Sequence, residues 1–370
     1  MTLLEEFGLW LKTLNWPEWA AYLVPSLVGI VVVLGFVLSL VIIFIWFERR
    51  LLARFQIRLG PNRLGPEGIF QPLATGLKVL LKEDIVPAKA DKVVHWLAPI
   101  VVFAPILLIF AVVPFGQRAI FTDLNVGAVY IVAISSISAV GIYMAGWGSN
   151  NKYALLGAMR AIAQLVSYEM PVVLSLIGVV LMAGSLSMTK IVEAQSIPFI
   201  LLQPLGFAIF FLGALAEINR SPFDLLEADS EIVAGYHTEY SGMKFAMFYM
   251  GEFGHAVTYC CIIATLFLGG WQGPLLPPII WLLIKVFLIY FVMIWIRATM
   301  PRLRVDQLMG FAWKGLFPMA VLNLFIVAAE VLWLQAITPW VIVGINFVLA
   351  VFLVLMWSKL FVLGGGRVEV

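Results

Sequence analysis

Val24–Phe47 reads VPSLVGIVVVLGFVLSLVIIFIWF and contains no charged residue. About 20 consecutive apolar residues, each adding ~1.5 Å of helix, cross a hydrocarbon layer ~30 Å thick, so this stretch reads as a transmembrane helix. The rest of the chain has the same character. Of 370 residues, 63% are hydrophobic and 12% charged, and the mean hydropathy is +1.04. No water-soluble globule has an interior large enough for that much apolar surface, so the surplus must face lipid. The fold class is therefore all-α and polytopic.

Working outward from the first span, eight further segments have the length and apolarity of a crossing, near 96–115, 126–147, 154–184, 199–219, 245–268, 279–298, 316–336 and 340–362. About nine transmembrane helices are expected, forming a single transmembrane domain over 1–370. The segment 154–184 is too long for a simple span, and Arg160, Glu169 and Pro171 within it predict a tilted or kinked helix. Thr338 and Pro339 leave room only for a tight hairpin into the extra C-terminal helix at 340–362. No segment repeats another in inverted order, as the halves of many secondary transporters do. Residues 1–23 lack the basic start and small-residue cleavage site of a signal peptide. They read as an N-terminal amphipathic segment, with Trp10, Trp16 and Trp19 suited to the lipid–water boundary.

Lysine and arginine fall mostly in 48–92, 148–153, 220–244, 299–315 and the C-terminus, with little beyond Lys12, Arg118 and Lys190 on the other side. The positive-inside rule puts those connections and the C-terminus in the cytoplasm and the N-terminus outside. The connection 48–92 opens with Glu48, Arg49, Arg50, Arg54, Arg58 and Arg63 around a Gly60-Pro61-Asn62 turn. Phe70, Leu73, Leu77, Leu80 and Leu81 then recur at helical spacing, opposite Gln71, Thr75, Lys78 and Lys82, which predicts an amphipathic helix lying in the interface plane. The basic residues read either as arginines snorkelling to anionic lipid or as the wall of a built site.

Charge of the other sign is concentrated between two spans. Ala216–His255 holds Glu217, Asp224, Glu227, Asp229, Glu231, Glu239 and Glu252, seven of the chain's 21 acidic residues. Buried carboxylates are costly in a membrane, so Glu169, Glu217 and Glu252, within or at the ends of spans, point to a water-filled or proton-bearing interior. Two carboxylates ~6 Å apart at an effective dielectric near 20 repel by roughly 3 kcal/mol, about two pK units, so such a cluster shares protons. The alternative for 217–252 is a solvated acidic loop with its flanking helix ends. Arg160, Gln164 and Ser167 share one helix face, while Lys285 and Glu330 are single charges within spans and suit either an ion pair or a proton relay. His255 can face Glu252 but lacks further metal ligands, and His95 reads as interfacial. The two cysteines, adjacent at Cys260 and Cys261, offer no ligand set for zinc or an iron–sulfur cluster, and a net charge of +2 gives no reason to expect nucleic acid.

RLGPNRLGPEGIFQPLATGLKVLLKED from Arg58 and EINRSPFDLLEADSEIVAGYHTEYSGMKF from Glu217, with SYEMP at Ser167–Pro171 and RATMPRLRVDQLM at Arg297–Met309, resemble the signature segments of the NuoH/NdhA-type subunit of respiratory complex I and its photosynthetic counterpart. Thr75 stands where the family commonly has Asp, and Asp229 where Glu is usual. The resemblance implies a membrane subunit at the foot of a peripheral arm, forming a quinone chamber with iron–sulfur and quinone-site partner subunits and opening a proton path to other membrane-arm subunits. Arg49, Arg58, Arg63 and Phe223 would lie near the chamber wall, and the headgroup's own partners and the redox centres would belong to other chains. Proton-relay candidates are Glu48, Glu169, Glu217, Asp224, Glu227, Asp229, Glu231, Glu239 and Glu252. Glu252 together with His255 suggests the cyanobacterial form, hence plastoquinone and a thylakoid membrane, with a bacterial plasma membrane as the alternative. An autonomous proton-coupled transporter and a structural membrane anchor are the competing readings; the missing inverted repeat opposes the first and the intramembrane acids the second.

Overall fold

The computed structural model describes residues 3–14, 16–117, 119–225, 234–334 and 338–363, and among these every regular element is a helix. Eight helices are long and apolar enough to cross a membrane. The first, α2 (Glu18–Phe55), follows a short α1 (Leu3–Thr13) and has 38 residues. At ~1.5 Å per residue it is about 57 Å long, so it carries Glu48, Arg49, Arg50 and Arg54 past the apolar stretch on one continuous helix. Next come α3 (Gln71–Leu80), α4 (Lys92–Phe110), α5 (Gly127–Gly148) and α6 (Lys152–Ala183). Helix α6 runs unbroken through Pro171 and ends at Gly184, whose φ of 64° suits a residue without a Cβ.

The fifth expected crossing is not one helix. It divides into α8 (Phe199–Leu202) and α9 (Pro204–Glu217), preceded by the short α7 (Met188–Glu193). Pro204 has no N–H to continue α8 and disfavours helical backbone in the residue before it, so Gln203 takes φ −130° and ψ 64°. The remaining helices are α10 (Gly242–Phe267), α11 (Pro278–Thr299), α12 (Val305–Trp333) with a π-helical stretch at Phe311–Leu316, and α13 (Pro339–Leu363).

Helix α10 is the axis of the bundle: 83% of its apolar window is buried, against 6% in α13, which rests on the periphery. Small residues let backbones meet where lipid cannot drive association. At Gly141 an added Cβ would lie 2.9 Å from the Val102 backbone nitrogen, so α4 and α5 touch there only because of glycine. The charged connections are knit together at one end. Asp91 N–H donates to Gly148 O at 3.0 Å, Ser241 Oγ to Glu83 O at 2.9 Å, Leu303 N–H to Pro222 O at 3.1 Å, and Lys244 pairs with Asp84 at 2.8 Å. Beside them α3 leaves Phe70, Leu73, Leu77 and Leu80 exposed, the apolar stripe read from the sequence.

Candidate functional site

The site is built where α2, α9, α10 and α11 converge. After α9 ends, Asn219 takes φ 57°, a left-handed conformation that asparagine tolerates, and the reversed chain points Arg220 back into the bundle. Arg220 is buried, 2.7 Å from Glu48 Oε1 and 3.3 Å from Glu252 Oε1, and its guanidinium lies 4.4 Å from the centre of the Phe253 ring. Glu48 also accepts hydrogen bonds from the Tyr290 hydroxyl and Arg297 Nη1. Two carboxylates thus meet two guanidiniums, a balance that makes burial tolerable. Burial opposes the charge on Arg220, but Glu48 and then Glu252 outweigh it and hold the guanidinium above its ordinary value.

Beyond Glu252 the interior is hollow. One cavity of about 40 Å³ is lined by Ser138, Glu217, Asn219, Asp224, His237, Glu252 and His255. A second, of about 20 Å³, is lined by Ser135, Ser136, Glu169, Glu217, His255 and Tyr259, so Glu217 and His255 face both. A water needs ~10–15 Å³, so the two cavities together have room for about four. Glu169 contacts the Ser136 hydroxyl, which also lies 2.9 Å from Val132 O. Asp224 lines the first cavity and pairs with Arg302 at 3.0 Å.

The structure therefore brings together Glu48, Glu169, Glu217, Asp224 and Glu252. Glu239 stands apart, accepting from Asn151 Nδ2 at 2.6 Å and lining neither cavity. Glu227, Asp229 and Glu231 lie outside the described residues. Arg220, Tyr290 and Arg297 were not singled out by sequence reading; Arg220 and Arg297 sit in quoted motifs, whereas a tyrosine in an apolar span carried no signal of its own. His95 is buried rather than interfacial, its ring stacked on Tyr240 with centroids 4.0 Å apart. Gln164 does not serve Arg160 as its main company: its Nε2 reaches Ala216 O at 2.8 Å and Phe223 O at 2.9 Å, tying α6 to the turn after α9. Lys285 donates to Gly270 O and Gln272 O, both at 2.8 Å.

The basic turn is an ordered structure docked on α2. Arg50 pairs with Glu67 at 2.8 Å, and the carbonyl of Glu67 accepts from Arg50 Nη1 at 2.8 Å and from Trp46 Nε1 at 3.1 Å. Gly68 holds φ 75°, where a Cβ would sit 2.4 Å from Pro61 O. This clasp leaves Arg58 and Arg63 exposed at the rim and Arg49 half-buried on α2. Phe223 is buried against Tyr168 and Phe311, so it backs a wall rather than forming an open surface. A larger apolar hollow of about 270 Å³, lined by Val32, Val33, Phe36, Phe110 and Phe115, lies towards the other end of α2, away from the charged cluster. Among the described residues, no group of three or more His, Cys, Asp or Glu is placed to hold a metal.

Such a bundle defines a multi-pass integral membrane protein with an ion-paired interior that has room for water. Residues 28–328 match the family described as NADH dehydrogenase, and the chain belongs to that family. It is 57% identical over 344 residues to the H subunit of NADH-quinone oxidoreductase from Dehalococcoides mccartyi strain CBDB1, covering 93% of this chain and 98% of the relative. To the second H-type subunit of the same enzyme from Syntrophobacter fumaroxidans it is 48% identical, covering 86% and 99%. To the corresponding protein of Brevibacillus brevis it is 46% identical, covering 89% and 97%.

Proposed function

We propose that this chain is the quinone-chamber and proton-entry subunit of a proton-translocating NADH:quinone oxidoreductase. The observation that carries this reading is the polar series from Glu48 through Arg220 and Glu252 to Glu217 and Glu169, leading from the end with the charged connections into the bundle. Quinone reduction takes up two electrons and two protons, and the electrons come from partner subunits with their own redox centres. This chain supplies the rest: Arg49, Arg58 and Arg63 at the chamber, with Phe223 supporting its wall, and carboxylates that change their shared protons when charge appears nearby. Within the series, the Glu48–Arg220–Glu252 cluster transmits the field of a reduced quinone, and the hydrated Glu217–Glu169 stretch stores and releases protons. Asp224 opens onto the same cavity and Glu239 acts at the same end through Asn151, while Glu227, Asp229 and Glu231, outside the described residues, are kept as further proton carriers on the ground of their chemistry alone.

The expected plastoquinone-using, thylakoid form finds no support among the relatives, whose names say NADH and quinone and which come from bacteria such as Dehalococcoides and Brevibacillus. The bacterial plasma membrane takes its place, with the long connections and C-terminus on the cytoplasmic side, where the basic residues favour them. Gln substitution at Glu217, Glu227, Glu231 or Glu252 keeps shape and removes a titrating site. In membrane vesicles with the complex assembled, quinone reduction and proton uptake should fall together in these variants. Wild-type values of both quantities at all four positions would end the proton-path reading.

A further inference from the structure

Gln203 interrupts the chain between α8 and α9, and four polar side chains meet at this break. Gln203, Asn323 and Glu330 of α12, and Asn346 of α13 line one cavity of about 10 Å³ that shares no residue with the two carboxylate-lined cavities. Glu330 and Asn346 are only 8% and 7% exposed, and Glu330 lies less than one turn from the end of α12. Asn346 Nδ2 donates to Leu202 O at 2.7 Å and to Glu330 Oε2 at 3.0 Å, and Gln203 Nε2 donates to Gly178 O at 3.0 Å. Four atoms are then left over: the acceptors Gln203 Oε1, Asn346 Oδ1 and Glu330 Oε1, and the donor Asn323 Nδ2. Each unsatisfied buried polar group costs ~1–3 kcal/mol, so four around one hollow call for a ligand that both donates and accepts.

Among the described residues, Glu330 is the only ionisable group lining this cavity, so no basic side chain there neutralises it. Counting hydrogen bonds decides between the ways it can be neutralised. A sodium ion would use the three oxygens but would face the N–H of Asn323 and leave it unpaired. A proton on Glu330 Oε1 turns that oxygen into a donor. One water then accepts from Glu330 and Asn323 and donates to Gln203 and Asn346, which satisfies all four. The cavity matches a single water, for which ~10–15 Å³ suffices.

We propose that this cavity is a proton-binding site in which Glu330 carries the proton, one water joins it to Gln203 and Asn323, and Asn346 completes the shell from α13. The last helix thereby has a chemical role as well as a packing one. The site is independent of the quinone reading, and the test does not rely on turnover. Infrared difference spectra of the purified, assembled complex, wild type minus Glu330→Gln, should contain the carbonyl stretch of a protonated carboxyl, shifted in heavy water. Asn346→Leu should move that band without abolishing it. Absence of the band in wild type would show an ionised Glu330 and overturn the proposal. Where Glu330→Gln does not assemble, Asn346→Leu carries the test alone, and a band that stays in place overturns it. Binding of radioactive sodium should be equal in wild type and Glu330→Gln; loss of a sodium equivalent would overturn the proposal in favour of a cation.

Discussion

Glu48 accepts from Arg220, Tyr290 and Arg297 while Arg220 also holds Glu252, so at the residue scale this cluster works as a unit. Removing one partner strands the others in a poorly solvated place. Arg220→Met should therefore cost about 3–5 kcal/mol, read as a lower melting temperature of the detergent-solubilised complex. Tyr290→Phe deletes a single hydrogen bond to a charged acceptor and should cost about 1.5–3 kcal/mol. If both variants melted like wild type, the cluster would be peripheral to stability. The pH dependence follows from the direction of the shift. Arg220 is raised in the folded state, so its contribution is complete below the unfolded arginine pKa and is lost only above it. The Arg220→Met deficit should accordingly stay constant across working pH, and a deficit that vanished in mild acid would overturn this expectation.

At the scale of elements, the turn at 60–68 and the break at Gln203 both depend on backbone that most residues avoid. Gly68→Ala places a Cβ against Pro61 O in a left-handed conformation, so at least about 1–2 kcal/mol is lost and the clasp of Glu67 on Arg50 and Trp46 should loosen. Limited proteolysis should then cut at 57–68 in the variant and spare wild type. The exposed arginines test the same element from the functional side. Arg58→Ala and Arg63→Ala remove rim charge with little packing, so assembly should persist while quinone reductase activity falls; normal activity with quinone analogues in both would remove them from the chamber.

For the whole molecule, the question is what covers its charged end. Ile57, Leu59 and Leu81 are 96%, 86% and 90% exposed there, close in sequence to Arg58 and Arg63 and to the apolar stripe of α3. Exposed apolar side chains beside basic residues are what an interface offers, and under the proposed function the partner expected here is a peripheral subunit. Leu59→Asp should reduce recovery of peripheral subunits with the tagged chain while the chain still inserts. Unchanged recovery would assign this surface to lipid. Sidedness can be read separately: tags at 68–83 and 225–240 should be accessible only from the cytoplasm and one at 272–276 only from outside, because the basic residues sort that way.

Amino-acid order alone determined the class, eight of the nine expected spans and the family resemblance. Hydrophobic length is a local property, so Val24–Phe47 declares a crossing whatever surrounds it, and the motifs around Arg58 and Glu217 carry their resemblance in linear form. The acidic concentration was equally plain, yet which acids line a common cavity was not. Glu169, Glu217 and Glu252 come from three helices, and Glu239, equally acidic in sequence, turns to Asn151 instead. The break at Gln203 could be suspected from Pro204, but its meaning could not, because Glu330 and Asn346 arrive there from helices more than 120 residues later. Tyr290 shows the reason most clearly. Its hydroxyl meets Glu48 across 242 residues of chain, and a contact set by packing leaves no local pattern to read. Tertiary structure therefore decided the partners, because a buried charge is stabilised by whatever the fold brings within a few ångströms of it.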